Sequence, residues 1–123
     1  MKLTKAEERL MEIIWQHEKI FLKEIFANYP EPKPATTTIA TLLKRMQAKG
    51  FVGYKLFGNS RQYYPLVKKT NYFSKQVKGI IKNNFENSAL QFASFFTTAS
   101  DLTASELEDL KKIIDQEIKR KRK

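Results

Sequence analysis

The stretch PATTTIATLLKRMQAKGFV, Pro34 to Val52, decides the fold. It opens on a proline, carries three threonines in a row and closes on Lys49-Gly50, where glycine suits the C′ position of a helix. Threonine is a mediocre helix former, because its branched Cβ crowds the preceding turn. On a wheel of about 100° per residue, Ile39, Leu42, Leu43 and Met46 nevertheless share one face. Thr37, Thr41, Lys44 and Ala48 lie opposite, Ala40 and Arg45 flank them, and Thr38 sits nearer the boundary. The spacing predicts a helix from Thr36 or Thr37 to Lys49, with a core side and a side of short hydroxylated residues and cations.

Upstream, Thr4-Lys5-Ala6-Glu7 has the spacing of a capping box. Ala6, Leu10, Ile13, Ile14 and Trp15 then recur at helical intervals, predicting a first helix over Lys5 to Gln16. After a polar connection, Gln16 to Lys19, the residues Leu22, Ile25, Phe26 and Tyr29 predict a short second helix. PEPKP, Pro30 to Pro34, reads as a stiff loop, since proline fixes φ and lacks an amide donor.

Downstream the period changes. FVGYKLF (Phe51–Phe57) and RQYYPL (Arg61–Leu66) are rich in aromatic and branched residues, and Gly58-Asn59-Ser60 separates them, which predicts a β-hairpin. Pro65 suggests an edge strand, and the adjacent Tyr63 and Tyr64 should point to opposite faces. From Asn71, the residues Phe73, Val77, Ile80 and Ile81 predict a fourth helix. Asn87-Ser88 reads as a cap, ALQFASFF as a buried fifth helix, and Thr103-Ala104-Ser105-Glu106 as a second capping box. That box opens a sixth helix striped by Leu107, Leu110, Ile114 and Ile118, with Ile113 beside the stripe. The basic end, Lys119 to Lys123, is expected to be a frayed, solvated terminus.

The expected fold is mainly α with a small β-hairpin wing. Residues 1–70 form a winged helix-turn-helix, and residues 71–123 form a three-helix region. Its apolar residues, Phe73, Val77, Ile81, Phe92, Phe95, Phe96, Leu107, Leu110 and Ile114, exceed what so short a segment buries alone, so pairing of two chains is expected.

The net charge is +10, and its distribution is uneven. Between Glu31 and Glu86 lie eleven cations and no anion in 54 residues. A one-signed field of this length concentrates a polyanion. No apolar run approaches the roughly 18 residues of a membrane span, no amphipathic helix has a lysine-rich polar face suited to a membrane surface, and Glu7, Glu8 and Glu12 interrupt the N-terminal segment where a signal peptide would be apolar. The chain has no cysteine, hence no disulfide or thiolate metal site, and cytoplasmic residence is the default expectation. The single histidine, His17, stands in a polar stretch, and there is no phosphate-binding glycine loop or H-E-x-x-H pattern. Neither an enzyme nor a cofactor is expected.

In a winged helix-turn-helix the third helix enters the major groove of duplex DNA. Short side chains permit close approach, and a threonine offers a methyl to thymine and a hydroxyl to a base edge or phosphate. Thr36 is expected to cap the helix, worth about 1 kcal/mol. Thr37, Thr41, Thr38 and Ala40 are the base-facing candidates; Lys44, Arg45, Lys49, Lys55 and Arg61 are candidates for the sugar–phosphate backbone. Alternatively, the threonines are merely tolerated at a helix start and the cations are solvated. A winged module that binds protein rather than DNA, and a regulator sensing a small molecule between the fourth and fifth helices, are further readings. RNA binding is another reading: the usual aromatic stacking motifs are absent, which leaves recognition by shape.

LTKAEERLMEIIW, TTTIATLLKRMQAKGFV, QYYPL and SALQFASFF, in this order with a closing amphipathic helix, resemble the penicillinase repressor (BlaI/MecI/CopY) family of winged-helix regulators. The resemblance implies a homodimeric repressor on a palindromic operator, with the C-terminal helices pairing two chains. Thr38 and Thr41 match threonines of the family, whereas relatives often carry Lys at the place of Thr37 and Gln or Arg at that of Ala40, which implies a different base preference here. The family's copper-responsive branch ends in a cysteine cluster that this chain lacks. In its β-lactam-responsive branch a membrane sensor pathway leads to cleavage before a Phe. The matching bond is Gln91–Phe92, although relatives carry Asn at the first position.

Overall fold

In the computed structural model, which describes residues 2–123, Thr4 starts the first helix as its spacing predicts. Its Oγ1 accepts the Glu7 amide at 3.2 Å, and the Glu7 carboxylate accepts the Thr4 amide at 2.8 Å. The helix α1 (Lys5–His17) is followed by β1 (Ile20–Phe21), α2 (Leu22–Asn28) and α3 (Thr36–Ala48). Then come β2 (Val52–Phe57), β3 (Ser60–Pro65), α4 (Lys69–Asn84), α5 (Ala89–Ala99) and α6 (Ala104–Lys121). The chain forms two compact units, Met1–Ser74 and Lys75–Lys123.

The core of the first unit joins Leu10, Met11 and Ile14 of α1, Ile25 of α2 and Ile39, Leu43 and Met46 of α3, with Ile20, Val52 and Tyr63 from the sheet. The α3 stripe read from the sequence is thus the side that holds this helix in place. Its end is set by Gly50 at φ 80°, a left-handed conformation that glycine adopts without a Cβ penalty.

The hairpin forms as expected, but a third strand joins it, giving the order β1-β3-β2. The strand β1 pairs Ile20 with Tyr63 and Phe21 with Gln62, and two residues are too few to leave a periodic signal. Pro65 therefore lies in the central strand, not an edge. Leu66 donates its amide to the Phe51 carbonyl at 2.8 Å, so ladder alternation turns the nitrogen of Pro65 toward the other side, beyond the reach of β1. Tyr63 is buried and Tyr64 is partly exposed, as adjacent strand positions require.

Trp15 donates its indole N–H to the Val67 carbonyl at 2.8 Å, tying α1 to the segment after β3. The buried Tyr72 hydroxyl accepts the Leu3 amide at 3.3 Å and donates to Glu8 at 3.0 Å. Trp15, Phe51 and Phe73 surround its ring at centroid distances of 5.8, 5.7 and 5.1 Å. Phe73, expected among the pairing residues of the C-terminal region, instead packs against the winged core. An aromatic side chain one turn into α4 finds an apolar partner in Trp15 at 5.9 Å.

In the second unit Ser88 caps α5, its Oγ accepting the Gln91 amide at 3.1 Å, and Thr103 and Glu106 form the second capping box. Phe85 meets Phe92 and Phe95 at 5.5 and 5.3 Å. The expected burial of α5 does not occur in the single chain: no residue of α5 or α6 is buried, and Leu90 is 81% exposed. The terminal basic run is helical through Lys121, with Arg120 bonded twice to Glu117 at 2.7 and 2.8 Å, rather than frayed.

Tyr72→Phe leaves the buried Leu3 amide without its acceptor and is expected to lower stability by about 1–3 kcal/mol in urea unfolding. An unchanged midpoint would show that the hydroxyl contributes nothing.

Candidate nucleic-acid interface

The helix α3 begins one residue earlier than a threonine cap allows. Ala35 is the N-cap, its carbonyl accepting the amides of Thr38 and Ile39 at 3.0 and 3.2 Å, and no side chain caps the helix. Thr36 is therefore the first helical residue and not the cap. The positive end of the helix dipole faces outward there without an internal anion.

Thr36, Thr37, Thr38, Ala40, Thr41, Lys44 and Arg45 are all exposed. The Thr41 hydroxyl donates to the Thr37 carbonyl at 2.9 Å, so toward an outside group it offers only an acceptor and a methyl. The exposed ridge of α3 has a depression on each side. One is shallow, about 230 Å³, and is bordered by Thr37, Thr38, Thr41 and Arg45. The other is an open groove of about 1130 Å³ between α2, α3 and the hairpin. Thr36, Ala40, Lys44 and Gln47 form its α3 wall; Tyr54, Phe57 and Arg61 form the wall opposite, with Asn59 and Ser60 at the turn.

The wing cations are held by aromatic rings. The Arg61 guanidinium lies 4.3 Å over the Tyr54 ring, and Lys55 Nζ lies 5.8 Å over Phe57, which in turn meets Phe21 edge-on at 5.8 Å. A stacked guanidinium keeps its N–H edge free for an anion while losing rotamer freedom.

Gln47, Tyr54, Asn59 and Ser60 belong to this surface and were not among the candidates from the sequence. Gln47 was legible, since 40, 44 and 47 follow helical spacing. One carboxylate, Glu24, also lines the groove, and it is tied to the Phe21 amide at 3.0 Å as the N-terminal cap of α2. The acid-free run along the chain therefore has an acid brought beside it in space. Conversely Lys33, one of the eleven cations of that run, donates to the carbonyls of Phe26, Ala27 and Tyr29 at 2.9, 3.2 and 2.8 Å, closing the end of α2.

Lys49 is the main departure. Expected on a phosphate backbone, it is only 26% exposed and donates to Glu7 Oε1 at 2.6 Å. Arg45 Nε approaches Glu7 Oε2 at 3.5 Å. Glu7 is fully buried, and among the described residues it is the one buried charged side chain. Burial disfavours its charge, but hydrogen bonds from Lys49 and from the Thr4 amide and hydroxyl outweigh burial and hold its pKa below the ordinary value of 4.5. A buried anion requires a partner, so the nearest cation of α3 turns inward.

The family model described as "Penicillinase repressor" matches residues 3–116. The chain belongs to the penicillinase repressor family. Two of its relatives are the methicillin resistance regulatory protein MecI of Staphylococcus aureus (strain N315), 28% identical over 94% of both chains, and the penicillinase repressor of Bacillus licheniformis, 21% identical over 98% of this chain and 95% of that one. A solved structure titled as the solution structure of the DNA binding domain of the repressor BlaI covers 58% of this chain and 88% of its own, with a TM-score of 0.52 and 26% identity. The family's winged helix is therefore present, followed by helices. No described helix is long and apolar enough to cross a membrane.

Because the folded pKa of Glu7 is depressed, its contribution to stability is full above the unfolded value of 4.5 and disappears as pH falls through the folded value. Urea midpoints of the wild type are expected to fall over that acid window, and the difference between wild type and Glu7→Gln to shrink with them. A constant difference from neutral to strongly acid pH would contradict this coupling.

Proposed function

We propose that this chain is a transcriptional repressor that binds operator DNA as a homodimer, with α3 in the major groove and the β2–β3 wing on the adjoining backbone. The observation that carries the reading is the exposed α3 ridge of Thr37, Ala40, Thr41 and Lys44, short enough for close approach and set beside the stacked Arg61. The groove between α3 and the wing accommodates one sugar–phosphate strand, contacted by Lys44 and Arg61 from its two walls, with Lys55 and Arg45 further out. Lys49 is not a phosphate ligand in this reading, since Glu7 holds it. The likeness to the DNA binding domain of the repressor BlaI and to a penicillinase repressor supports it.

Residues 1–74 carry this surface, and the later helices carry pairing. Leu90, Phe95, Leu107 and Ile114 are 81, 56, 39 and 57% exposed, and Val77 and Phe96 add to them. So many exposed apolar side chains on three successive helices favour an interface. Ile81, Phe92 and Leu110 on the same three helices are half-buried. A palindromic operator follows from the two-fold symmetry of such a pair.

The relatives, a methicillin resistance regulator and a penicillinase repressor, favour a β-lactam or cell-wall signal that reaches this chain through a membrane sensor protease pathway. Inactivation by cutting Gln91–Phe92 fits the position of that bond in the first turn of α5, where the exposed Gln91 depends on the Ser88 cap. Co-expression with such a sensor under induction is expected to yield a fragment ending at Gln91; an intact chain would exclude this route.

Affinity for operator DNA is expected to fall by about 10³–10⁵ between roughly 50 and 200 mM salt if a dimer neutralises about six to ten phosphates. Lys44→Ala and Arg61→Ala should each lower the salt slope by about 0.9 per lost phosphate contact, so by about 1.8 per dimer. Thr41→Asp sets a carboxylate against the duplex and is expected to abolish binding without changing the circular dichroism spectrum. Retained affinity would remove α3 from the contact. Ile114→Asp should give a monomer in sedimentation equilibrium; a dimer would place pairing elsewhere.

A further inference from the structure

We infer that Glu7 is a positioning residue for operator reading, acting through Arg45 and Lys49 to fix the rotation and height of α3. This rests on the DNA-binding reading above and extends it to a residue that touches no DNA. One buried carboxylate faces two cations a single turn apart, Arg45 of α3 at 3.5 Å on Oε2 and Lys49, the C-cap of α3, at 2.6 Å on Oε1. The same carboxylate accepts the Thr4 amide, so it is anchored to the start of α1 and not adaptable. Two attachment points four residues apart resist both sliding along the axis and rolling about it. With a helix radius of about 5–6 Å including side chains, a roll of about 20° carries the outer face by about 2 Å, whereas direct reading of bases needs side chains held within about 0.5 Å. The buried Ile39, Leu42, Leu43 and Met46 seat α3 on the core, and the carboxylate adds the directional contacts that aliphatic side chains do not supply.

Oε2 of Glu7 makes no hydrogen bond, and Arg45 remains 52% exposed beside it. The carboxylate thus restrains Arg45 without enclosing it, leaving the rest of the guanidinium available to a phosphate. It also cancels part of the positive charge at this end of α3. Removing it has two opposite effects: the reading face loses its alignment, and the released cations attract any duplex more strongly.

The test uses the full-length chain, the duplex that the wild type selects from a random library, and a scrambled duplex of the same length. Glu7→Gln is expected to reduce the ratio of selected to scrambled affinity at least tenfold, while affinity for the scrambled duplex stays level or rises. A merely structural role would lower both affinities together. Glu7→Gln/Lys49→Met removes the buried pair with nearly matched volumes, a replacement that folds tolerate, and it should show the same lost ratio at an unchanged melting temperature. A ratio within twofold of wild type in either folded variant overturns the positioning role alone. A wild-type chain that selects no duplex overturns the underlying reading of DNA binding.

Discussion

The carboxylate of Glu7 is the point at which the winged unit is tied together. It is fully buried, it closes the capping box of α1, and it receives Lys49 and Arg45 from α3. A lone carboxylate there would be costly, by several kcal/mol even after relaxation. The anion is tolerable only if α1 and α3 hold their observed places, and so the start of the first helix and the end of the third are mutually dependent. The apolar stripe of α3 then decides which side is core, and the short-chained ridge is left facing out.

The wing is held by different physics. Three antiparallel strands orient it, with β1 covering only Gln62 and Tyr63, so most of the hairpin projects beyond the sheet. Its cations are ordered by stacking, Arg61 on Tyr54 and Lys55 on Phe57. The exposed face therefore has two walls, one tied to a buried ion pair and the other carrying aromatic rings, with the groove between them. In the second unit apolar side chains such as Leu90 and Phe95 stay largely exposed in the single chain. That is the expected condition for a surface covered by another copy.

Much of this was legible in the sequence because the deciding signals are local. The two capping boxes, the stop at Gly50 and the 3.6-residue stripe of α3 each depend on neighbours in the chain, and each appears where it was expected. Signals that depend on distant partners were not legible. Lys49 looks like any surface cation until Glu7, 42 residues away, is brought against it. Phe73 looks like part of the later apolar stripe until Trp15 meets it. The strand β1 is too short to alternate, and it changes the meaning of Pro65 by making β3 central. Thr36 matched the usual cap chemistry, but the chain enters α3 already extended at Ala35, so the helix starts one residue sooner. ALQFASFF reads as buried because it is apolar, yet composition cannot say whether the cover comes from the same chain.

The most direct measurement is an isotope-filtered NMR experiment on the chain bound to its selected duplex, with the methyl groups of Ala and Thr labelled. If α3 reads the major groove, the methyls of Ala40 and Thr41 give intermolecular contacts to base protons while those of Ala93 and Thr98 in α5 give none. A bound complex in which the α3 methyls show no contact with any base would contradict it.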